Sequence, residues 1–380
     1  MKSIILYAYP PELDGLSIQG DLLYRGMKEL GQQVVPCNWQ GGLEKEWYYK
    51  HFKPDIAIGV GFWGYIPDIV LHPAKFKITA IPWLVADGWV ANYHDILSNL
   101  PLAFVTSDWV KETYARDGVD TKNFETLPIG FDPTFYKPIA KNDNRIKKIR
   151  QLLGVADDEV MILTIGGDVT SKGAQEVLQA LKIVDKNFKK WKYVCKTWTS
   201  ESAYNHHKEE MRLIDNLAIP KNRIIFLQGS YSRQFMSYLL NACDIYAAPS
   251  RLEGFGLLQL EAQACGIPVI SIAIMGPSQT TIHGKTGFLA KVATRIDLTE
   301  EWVYRSMGFD KKKKIRFGSP KTFAYRASVP DIAKYLLLLM KNKKLREEMG
   351  RNAAAHALAK FHYKDIAAHA VLQIKKRLKL

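Results

Sequence analysis

The sequence predicts an α/β protein with two doubly wound parallel sheets. Short apolar strands alternate with amphipathic helices in two successive halves of the chain, and a polar stretch from Lys137 to Asn144 separates the halves. Such alternation favours parallel sheets with helices on both faces. A length of 380 residues is enough for two domains of ordinary size. We therefore predict a first domain over residues 1–140 and a second over residues 141–362.

The first half begins with an apolar strand, a loop and a helix that Gly31 closes. A glycine directly after the last periodic residue is typical of a helix C-terminus. Further short apolar runs predict buried strands, with helical patterns between them. The predicted strands are Ser3–Ala8, one that begins at Val34, Ile56–Val60, Ile78–Ile81 and Ala103–Thr106, and the predicted helices include Ser17–Leu30 and Trp109–Ala115.

The second half repeats this alternation with a longer polar insertion near its end. Residues 294–328 are longer and more polar than a simple connector, and two amphipathic helices follow over Pro330–Lys341 and Lys344–Phe361. The predicted strands are Val160–Ile165, Lys192–Cys195, Arg223–Leu227, Ile245–Ala248 and Val269–Ile272. The predicted helices are Arg145–Leu153, Ala174–Val184, Glu201–Leu217, Ser232–Asn241 and Leu257–Cys265.

The net charge of +15 is unevenly distributed along the chain. Between Asp310 and Arg326 seven basic residues accompany one acidic residue, and the C-terminus is also rich in lysine. Such a charge suits an anionic membrane surface, an acidic substrate or a nucleic acid. Because the basic residues cluster rather than alternate with aromatic side chains that could stack on bases, we do not expect a nucleic acid as the main partner.

Other bulk features favour a cytoplasmic protein. No apolar run approaches the roughly 20 residues that span a bilayer, and the apolar start ends at Pro10, which is too short for a signal peptide. The four cysteines lie far apart, without the spacing of a metal site or a disulfide framework. We expect a cytoplasmic location, with peripheral association on the inner face of an anionic membrane through Lys311–Lys314 and the C-terminus.

Two glutamates eight positions apart form the most informative pattern in the chain. Glu253 lies in a turn between glycines, and Glu261 lies inside the predicted helix that follows. The start of this helix presents backbone N–H groups and the positive end of the helix dipole, which suits a diphosphate. A carboxylate one turn further along suits vicinal hydroxyl groups such as those of a ribose.

This stretch resembles the E-x7-E signature of the retaining, nucleotide-sugar-dependent glycosyltransferases of family four. The family pattern is Pro-Ser-x-x-Glu-x-Phe-Gly-x-x-x-x-Glu-Ala-x-Ala-x-Gly-x-Pro-Val-Ile. Every specified position matches, namely Pro249, Ser250, Glu253, Phe255, Gly256, Glu261, Ala262, Ala264, Gly266, Pro268, Val269 and Ile270. The segments 128–138 and 284–289 are also similar to family motifs, although Ile129 and Tyr136 depart from the first of them.

The resemblance implies the GT-B fold, with two Rossmann-like domains that face a central cleft and a C-terminal helix, residues 363–380, that crosses back to the first domain. It also implies transfer of a hexose from a UDP- or GDP-sugar to a hydroxyl of a glycan, a glycolipid or a small acceptor. Retention at the anomeric carbon, no metal ion and no further cofactor are expected. Glu253 would hold the sugar and Glu261 the ribose. The implied donor site comprises Gly15, Gly166, Lys172, Lys196, Gly229, Tyr231, Glu253, Gly254, Phe255, Gly256, Leu257 and Glu261.

The glycine-rich segment 166–173 matches the family only in part. Lys172 and Gly173 agree with its Lys-Gly pair, and a lysine that enters a helix after a glycine-rich strand end suits phosphate. The arginine that usually accompanies this lysine is replaced by Gly167. Lys196, directly after a predicted strand, is placed to supply the missing charge. A solvated surface lysine is the alternative at both lysine positions.

The first domain departs from the family at two further places. Family members usually have two glycines in the first strand–helix loop, whereas this chain has Asp14 and Gly15, so Asp14 either caps the helix or contacts the acceptor. The histidine that many members carry near the transferring sugar is absent around Pro82. We predict that Asp87 replaces it as a catalytic polar group, with an ordinary turn aspartate as the alternative.

Two other classes of function remain open. Other GT-B enzymes, such as a nucleotide-sugar epimerase or a phosphorylase, share the fold, but the complete signature together with Lys172 and Gly173 favours transfer. A basic nucleic-acid-binding protein would explain the charge and would show a steep dependence of affinity on salt.

Overall fold

A computed structural model describes residues 1–12, 14–86, 88–166 and 169–379, without the side chains of Ser202, Thr322 and Phe323. The chain divides into two compact units. Unit 1 comprises Met1–Asp132, Asp297–Phe323 and Phe361–Leu380, and unit 2 comprises Pro133–Ile296 and Ala324–Lys360. Each unit contains a six-stranded sheet, and the predicted α/β class with two parallel sheets is confirmed.

Apolar runs of four to seven residues form most of the strands. Strand β3 is buried at every position, as expected where helices cover both faces of a parallel sheet. The strands of unit 1 are β1 (Lys2–Tyr7), β2 (Gln33–Asn38), β3 (Ile56–Gly61), β4 (Thr79–Leu84), β5 (Ala103–Val105) and β6 (Phe124–Thr126). Those of unit 2 are β7 (Val160–Ile165), β8 (Trp191–Thr197), β9 (Ile224–Gln228), β10 (Ile245–Ala247), β11 (Val269–Ile272) and β12 (Gly287–Ala290).

The helices fill the connections between these strands. Their bounds are α1 (Gly15–Glu29), α2 (Gly42–His51), α3 (His72–Lys75), α4 (His94–Ser98), α5 (Asp108–Arg116), α6 (Asn144–Leu152), α7 (Ala174–Val184), α8 (Glu201–Asn216), α9 (Arg233–Ala242), α10 (Leu257–Ala264), α11 (Pro277–Thr280), α12 (Val329–Lys341), α13 (Lys343–Phe361) and α14 (Tyr363–Leu378). Side chains cap several of them in the usual way, for example Ser107 at α5 and Ser232 at α9.

The order of the strands is doubly wound in both sheets. In unit 1 it is β2-β1-β3-β4-β5-β6, and in unit 2 it is β12-β11-β10-β7-β8-β9. The neighbouring pairs are parallel. In each sheet the direction of winding therefore reverses once, between β1 and β3 in unit 1 and between β7 and β10 in unit 2. Ligands of such sheets bind beyond the carboxyl ends of the strands at this reversal.

The polar insertion forms two long strands, β13 (Val292–Val303) and β14 (Lys313–Ala327), which pair with each other. Val303 is fully buried in the apolar core of unit 1, and the ring of Phe317 lies 5.5 Å from that of Trp89. Lys321 forms an ion pair of 2.9 Å with the buried Asp117. Residues 297–323 fall within the predicted second domain, 141–362, but they complete the core of unit 1.

The last helix, α14, packs along α1 inside unit 1. A Cβ atom on Gly26 would lie 2.6 Å from the Cβ atom of Ala367, so the two helices approach closely at this glycine. The Tyr363 hydroxyl donates to a Glu29 carboxylate oxygen at 2.8 Å. The expectation that the C-terminal helix packs on the first domain is confirmed.

The close approach of α1 and α14 makes a direct prediction for Gly26. In a helix interior alanine is usually more stable than glycine by about 1 kcal/mol. At Gly26, however, the new methyl group would collide with Ala367. We expect Gly26→Ala to destabilise the protein by about 1–3 kcal/mol. Thermal unfolding measures the change. Gly42→Ala is the matched control because its methyl group would meet no atom within 4 Å, and a stabilising effect of both variants would contradict the packing described.

Candidate functional site

The winding of the second sheet brings two distant loops together. Strand β10 pairs with β7, while β8 pairs with β7 on the other side. The loop after β7 carries Lys172, and the loop after β10 carries Glu253. Both loops leave the carboxyl ends of neighbouring strands at the reversal of winding, where ligands of such sheets bind.

Lys172 and Glu253 form an ion pair at this position. The ammonium of Lys172 donates to Oε2 of Glu253 at 2.7 Å, and Oε1 of Glu253 accepts from the backbone N–H of Gly256 at 3.1 Å. The two side chains are only 23% and 16% exposed. The alternative of two solvated surface residues is therefore wrong for this pair, and the structure joins two residues that were predicted from separate motifs.

Glycines without space for a side chain hold the two loops against each other. A Cβ atom on Gly173 would lie 2.4 Å from the carbonyl oxygen of Pro249, and one on Gly276 would lie 2.5 Å from the carbonyl oxygen of Gly254. Gly173 and Gly256 also adopt positive φ angles of 84° and 98°, which favour glycine. A larger residue at Gly173 would therefore separate the loop of Lys172 from that of Glu253, and one at Gly276 would displace the turn at Gly254.

Helix α10 begins directly after this loop and is left uncapped by side chains. Gly256 is the residue before its first turn, and Leu257 is its first residue. Inside the helix, the Gln259 amide donates to the carbonyl oxygen of Ala248 at 3.2 Å and to the Ser250 hydroxyl at 3.1 Å, which ties α10 to the end of β10. The N–H groups of an uncapped first turn suit an anion.

Glu261 lies deeper in α10 than its predicted role suggests. It is 4% exposed, and burial raises the pKa of its carboxyl to about 8. A hydrogen bond from the Tyr136 hydroxyl and the charge of Arg233 oppose this rise in pKa without cancelling it. The prediction of a helical carboxylate one turn inside α10 holds for its position, but at neutral pH this group is a neutral carboxylic acid that both donates and accepts hydrogen bonds.

Four other predicted donor contacts lie together at the ends of β7, β8 and β9. Lys196 is the sixth residue of β8 rather than the residue after it, which corrects the predicted strand end. Its carbonyl oxygen accepts from Gly166 at 3.0 Å, and that of Thr197 accepts from Gly229 at 3.0 Å. The Lys196 ammonium lies 5.6 Å from the ring centroid of Tyr231, and burial lowers the pKa of this lysine.

The predicted contacts in the first domain lie in unit 1 or outside the described residues. Gly15 is the first residue of α1, and a Cβ atom there would meet no other atom within 4 Å. Asp14 caps α1 by accepting from the N–H groups of Leu16 and Ser17, so its carboxylate has a structural role. Asp87 and Gly167 lie outside the described residues.

A buried acid that the sequence did not single out forms an ion pair with the signature loop, which is the name used below for residues 248–256 between β10 and α10. Glu176 on α7 is 2% exposed and pairs with Arg251 at 3.0 Å and with Arg326 at 3.1 Å. Arg251 occupies one of the variable positions of the family pattern, so the motif gave it no weight. An acidic residue inside the apolar pattern of α7 was the one indication available in the sequence.

The described part of the chain contains neither a metal-binding cluster nor a membrane-spanning helix. No group of three or more His, Cys, Asp or Glu side chains there has the arrangement of a metal site. No described helix is long and apolar enough to cross a membrane.

The raised pKa of Glu261 predicts how stability depends on pH. An unfolded glutamate ionises near 4.5, whereas the folded protein keeps this proton up to about pH 8. Unfolding therefore releases a proton within this window, and the free energy of unfolding falls as the pH rises through it. We expect the free energy of unfolding of Glu261→Gln to decrease less with pH than that of the unmodified protein, as measured by denaturant unfolding at several pH values. Glu209→Gln, at a side chain 53% exposed, is the control, and an unchanged slope in Glu261→Gln would refute the raised pKa.

Part of the chain is similar in sequence to a known family. Residues 145–302 match the family described as "Glycosyl transferases group 1". Over 184 residues the chain is 29% identical to D-inositol 3-phosphate glycosyltransferases of Mycobacterium bovis and Mycobacterium tuberculosis. These alignments cover 48% of this chain and 36% of the relatives, so the chain aligns with only about a third of their length.

Solved structures match the whole chain in fold. Anabaena HepE in complex with UDP and glucose has a TM-score of 0.74 at 16% identity and covers 99% of this chain and 100% of its own. Sucrose-phosphate synthase of Thermosynechococcus elongatus has a TM-score of 0.76 at 16% identity with 100% of both chains covered. The chain therefore has the GT-B fold, and most of the segment that matches the group 1 glycosyltransferases lies in its second unit.

Proposed function

We propose that this chain is a retaining, metal-independent glycosyltransferase that moves a hexose from a nucleoside diphosphate sugar to a hydroxyl acceptor. The observation that carries the proposal is the Lys172–Glu253 pair beside the uncapped start of α10. Both residues lie within the segment that matches the group 1 family. A cation, the N–H groups of a helix start and a carboxylate are the groups that a sugar diphosphate needs in one place.

The donor diphosphate would lie against the first turn of α10. There the N–H groups from Gly254 to Leu258 and the ammonium of Lys172 would stabilise the charge that develops on the leaving group. Lys196 would add the charge that an arginine supplies elsewhere in the family. Glu253 would accept hydrogen bonds from the sugar, and Glu261 would exchange hydrogen bonds with the ribose.

The transfer itself needs no side chain as nucleophile. The bond between the anomeric carbon and the diphosphate oxygen breaks, and the acceptor oxygen forms its bond on the same face of the sugar. The acceptor proton passes to the departing diphosphate, so charge and atoms balance. Stabilisation of the diphosphate by fixed donors then carries most of the catalysis, as in other electrostatically preorganised sites. Asp87 remains the proposed polar group on the acceptor side.

The names of similar proteins favour particular substrates. HepE was crystallised with UDP-glucose, and the mycobacterial relatives are named for transfer to D-inositol 3-phosphate. We therefore propose a UDP-sugar as the first donor to test, with a GDP-sugar second. An acceptor that carries negative charge, either a phosphorylated small molecule or an anionic glycan or glycolipid, would also suit the net charge of +15.

A donor screen tests this proposal directly. The chain is incubated with UDP-, GDP- and ADP-hexoses, and release of the nucleoside diphosphate is measured with and without acceptor hydroxyls. We expect hydrolysis of one nucleotide class and a glycosylated product when an acceptor is present. Failure to bind any nucleotide sugar would refute the enzyme assignment. An isomerised sugar nucleotide, or release of a sugar phosphate, would instead indicate the epimerase or the phosphorylase.

Two lysines on β8 allow a test of which side chain contacts the donor. Lys196→Met should weaken binding of the donor by about tenfold, because a charge-assisted contact to phosphate is lost. Lys192→Met is the control, since Lys192 lies on the same strand and donates to the carbonyl oxygen of Asn222. Equal affinities for both variants would exclude Lys196 from the donor site, and normal donor binding by Glu261→Ala would exclude the ribose contact.

We also propose that the chain acts in the cytoplasm on the inner face of an anionic membrane, through Lys311–Lys314 and the C-terminal helix. In support, Trp302 and Tyr304 are 43% and 40% exposed on either side of the buried Val303. The ammonium of Lys312 lies 5.1 Å and 5.3 Å from their ring centroids. Exposed Trp and Tyr rings together with lysines are typical of surfaces that contact lipid headgroups.

Vesicle flotation at low salt tests the membrane association. Replacement of Lys311–Lys314 by alanine should abolish binding to vesicles that contain phosphatidylserine, because each lysine near such a surface contributes about 1 kcal/mol. Alanine at the exposed Lys341, Lys343, Lys344 and Lys360 removes the same charge from unit 2 and is the control. Absence of vesicle binding by the unmodified protein would refute the association. Since Lys312 lies between two aromatic rings, tight binding of single-stranded oligonucleotides would instead favour a nucleic-acid partner.

A further inference from the structure

An ion-pair triad around one buried acid includes Arg251 of the signature loop and takes no part in the proposed chemistry. Glu176 is 2% exposed and accepts hydrogen bonds from two arginines. Nε and Nη2 of Arg251 donate to Oε1 of Glu176 at 3.2 Å and 3.0 Å, and Nη2 also reaches Oε2 at 3.1 Å. Nη1 of Arg326 donates to Oε1 at 3.1 Å. One carboxylate therefore pairs with two guanidinium groups, and the three side chains together keep one positive charge.

The backbone around Arg251 joins three segments of unit 2. Its N–H donates to the carbonyl oxygen of Ser171 at 2.8 Å, and its carbonyl oxygen accepts from the N–H of Tyr325 at 2.8 Å. Ser171 directly precedes Lys172, and Arg251 lies two residues before Glu253. A shift of Arg251 would thus displace both members of the Lys172–Glu253 pair.

The triad depends on its single acid. Removal of one partner from a buried ion pair leaves an uncompensated charge and is costly. Without the charge of Glu176, the largely buried Arg251 would lose its counter-charge and would be repelled by the like charge of Arg326. The hydrogen bonds that hold Arg251 between Ser171 and Tyr325 would then be strained.

We propose that Glu176 is a positioning residue for the donor site, because it fixes Arg251 and, through it, the relative placement of Lys172 and Glu253. This inference rests on the proposed glycosyl transfer. Glu176 contacts neither donor nor acceptor in this scheme. Its effect on the reaction passes entirely through the signature loop and through the end of β14 that carries Arg326.

Glu176→Gln tests the proposal because it removes the charge with little change of volume. Asp244→Asn is the matched control. Asp244 also holds two cations, Arg150 at 2.9 Å and Lys141 at 3.7 Å, but it precedes β10, whereas the signature loop follows that strand. Both variants should lower the melting temperature. Only Glu176→Gln should lower kcat for donor turnover, by about tenfold or more, since small displacements of catalytic groups have large kinetic effects.

Amide hydrogen exchange supplies a measurement that needs no substrate. In Glu176→Gln the N–H groups of Arg251, Gly256 and Tyr325 should exchange about tenfold faster than in the unmodified protein, because the loop opens locally. Asp244→Asn should leave them unchanged. Glu176→Asp, which keeps the charge, should restore part of both kcat and protection.

The outcomes separate this inference from the proposed function. If the unmodified protein binds no nucleotide sugar, the glycosyltransferase assignment fails, whatever the exchange data show. If it turns over a donor and Glu176→Gln lowers the melting temperature with kcat and loop exchange unchanged, the positioning role is refuted. Equal kinetic losses in Glu176→Gln and Asp244→Asn would also refute it, since the effect would then be general destabilisation.

Discussion

The pairing of β10 with β7 is the constraint on which the site of unit 2 depends. It joins Lys172 and Glu253, which are 81 residues apart in the chain, into one hydrogen-bonded pair. Strand pairing alone would leave the two loops side by side. Because Gly173 has no side chain, its backbone lies directly against Pro249, so the two loops are in contact. A topological rule and one glycine together explain why a lysine motif and a glutamate motif form a single site.

The fold and the centre of the site could be predicted because their determinants are local. Apolar runs define β7 and β10, and a glycine that must adopt a positive φ angle remains visible in the sequence at Gly173 and Gly256. Lys172 and Glu253 lie within these local patterns, so the sequence predicted the loops that carry them. The packing of α14 on α1 was expected from the family resemblance alone.

The remaining features depend on contacts between distant segments, which a single sequence does not encode in a recognisable pattern. Glu176 and Arg326 are 150 residues apart, and neither belongs to a motif. The buried Glu261 accepts a hydrogen bond from Tyr136, which lies in the segment between β6 and β7 and is far from Glu261 in the chain. The sequence did not predict the β13–β14 pair, because charged side chains dominate this segment while the inward Val303 and Phe317 are too few to form a recognisable apolar pattern.

The distribution of charge in the site suggests why a complete sugar diphosphate, rather than either half, would be the preferred ligand. Lys172 is paired with Glu253, and Arg251 is paired with Glu176. Glu176 is buried and bound on two sides, so its pair would persist, whereas the Lys172–Glu253 pair is partly exposed and open to exchange. A phosphate alone would take Lys172 and leave Glu253 without a partner, and a sugar alone would compete with Lys172 for Glu253. A ligand that carries both groups would satisfy both residues at once, so recognition of the phosphate and of the sugar would be coupled through one ion pair.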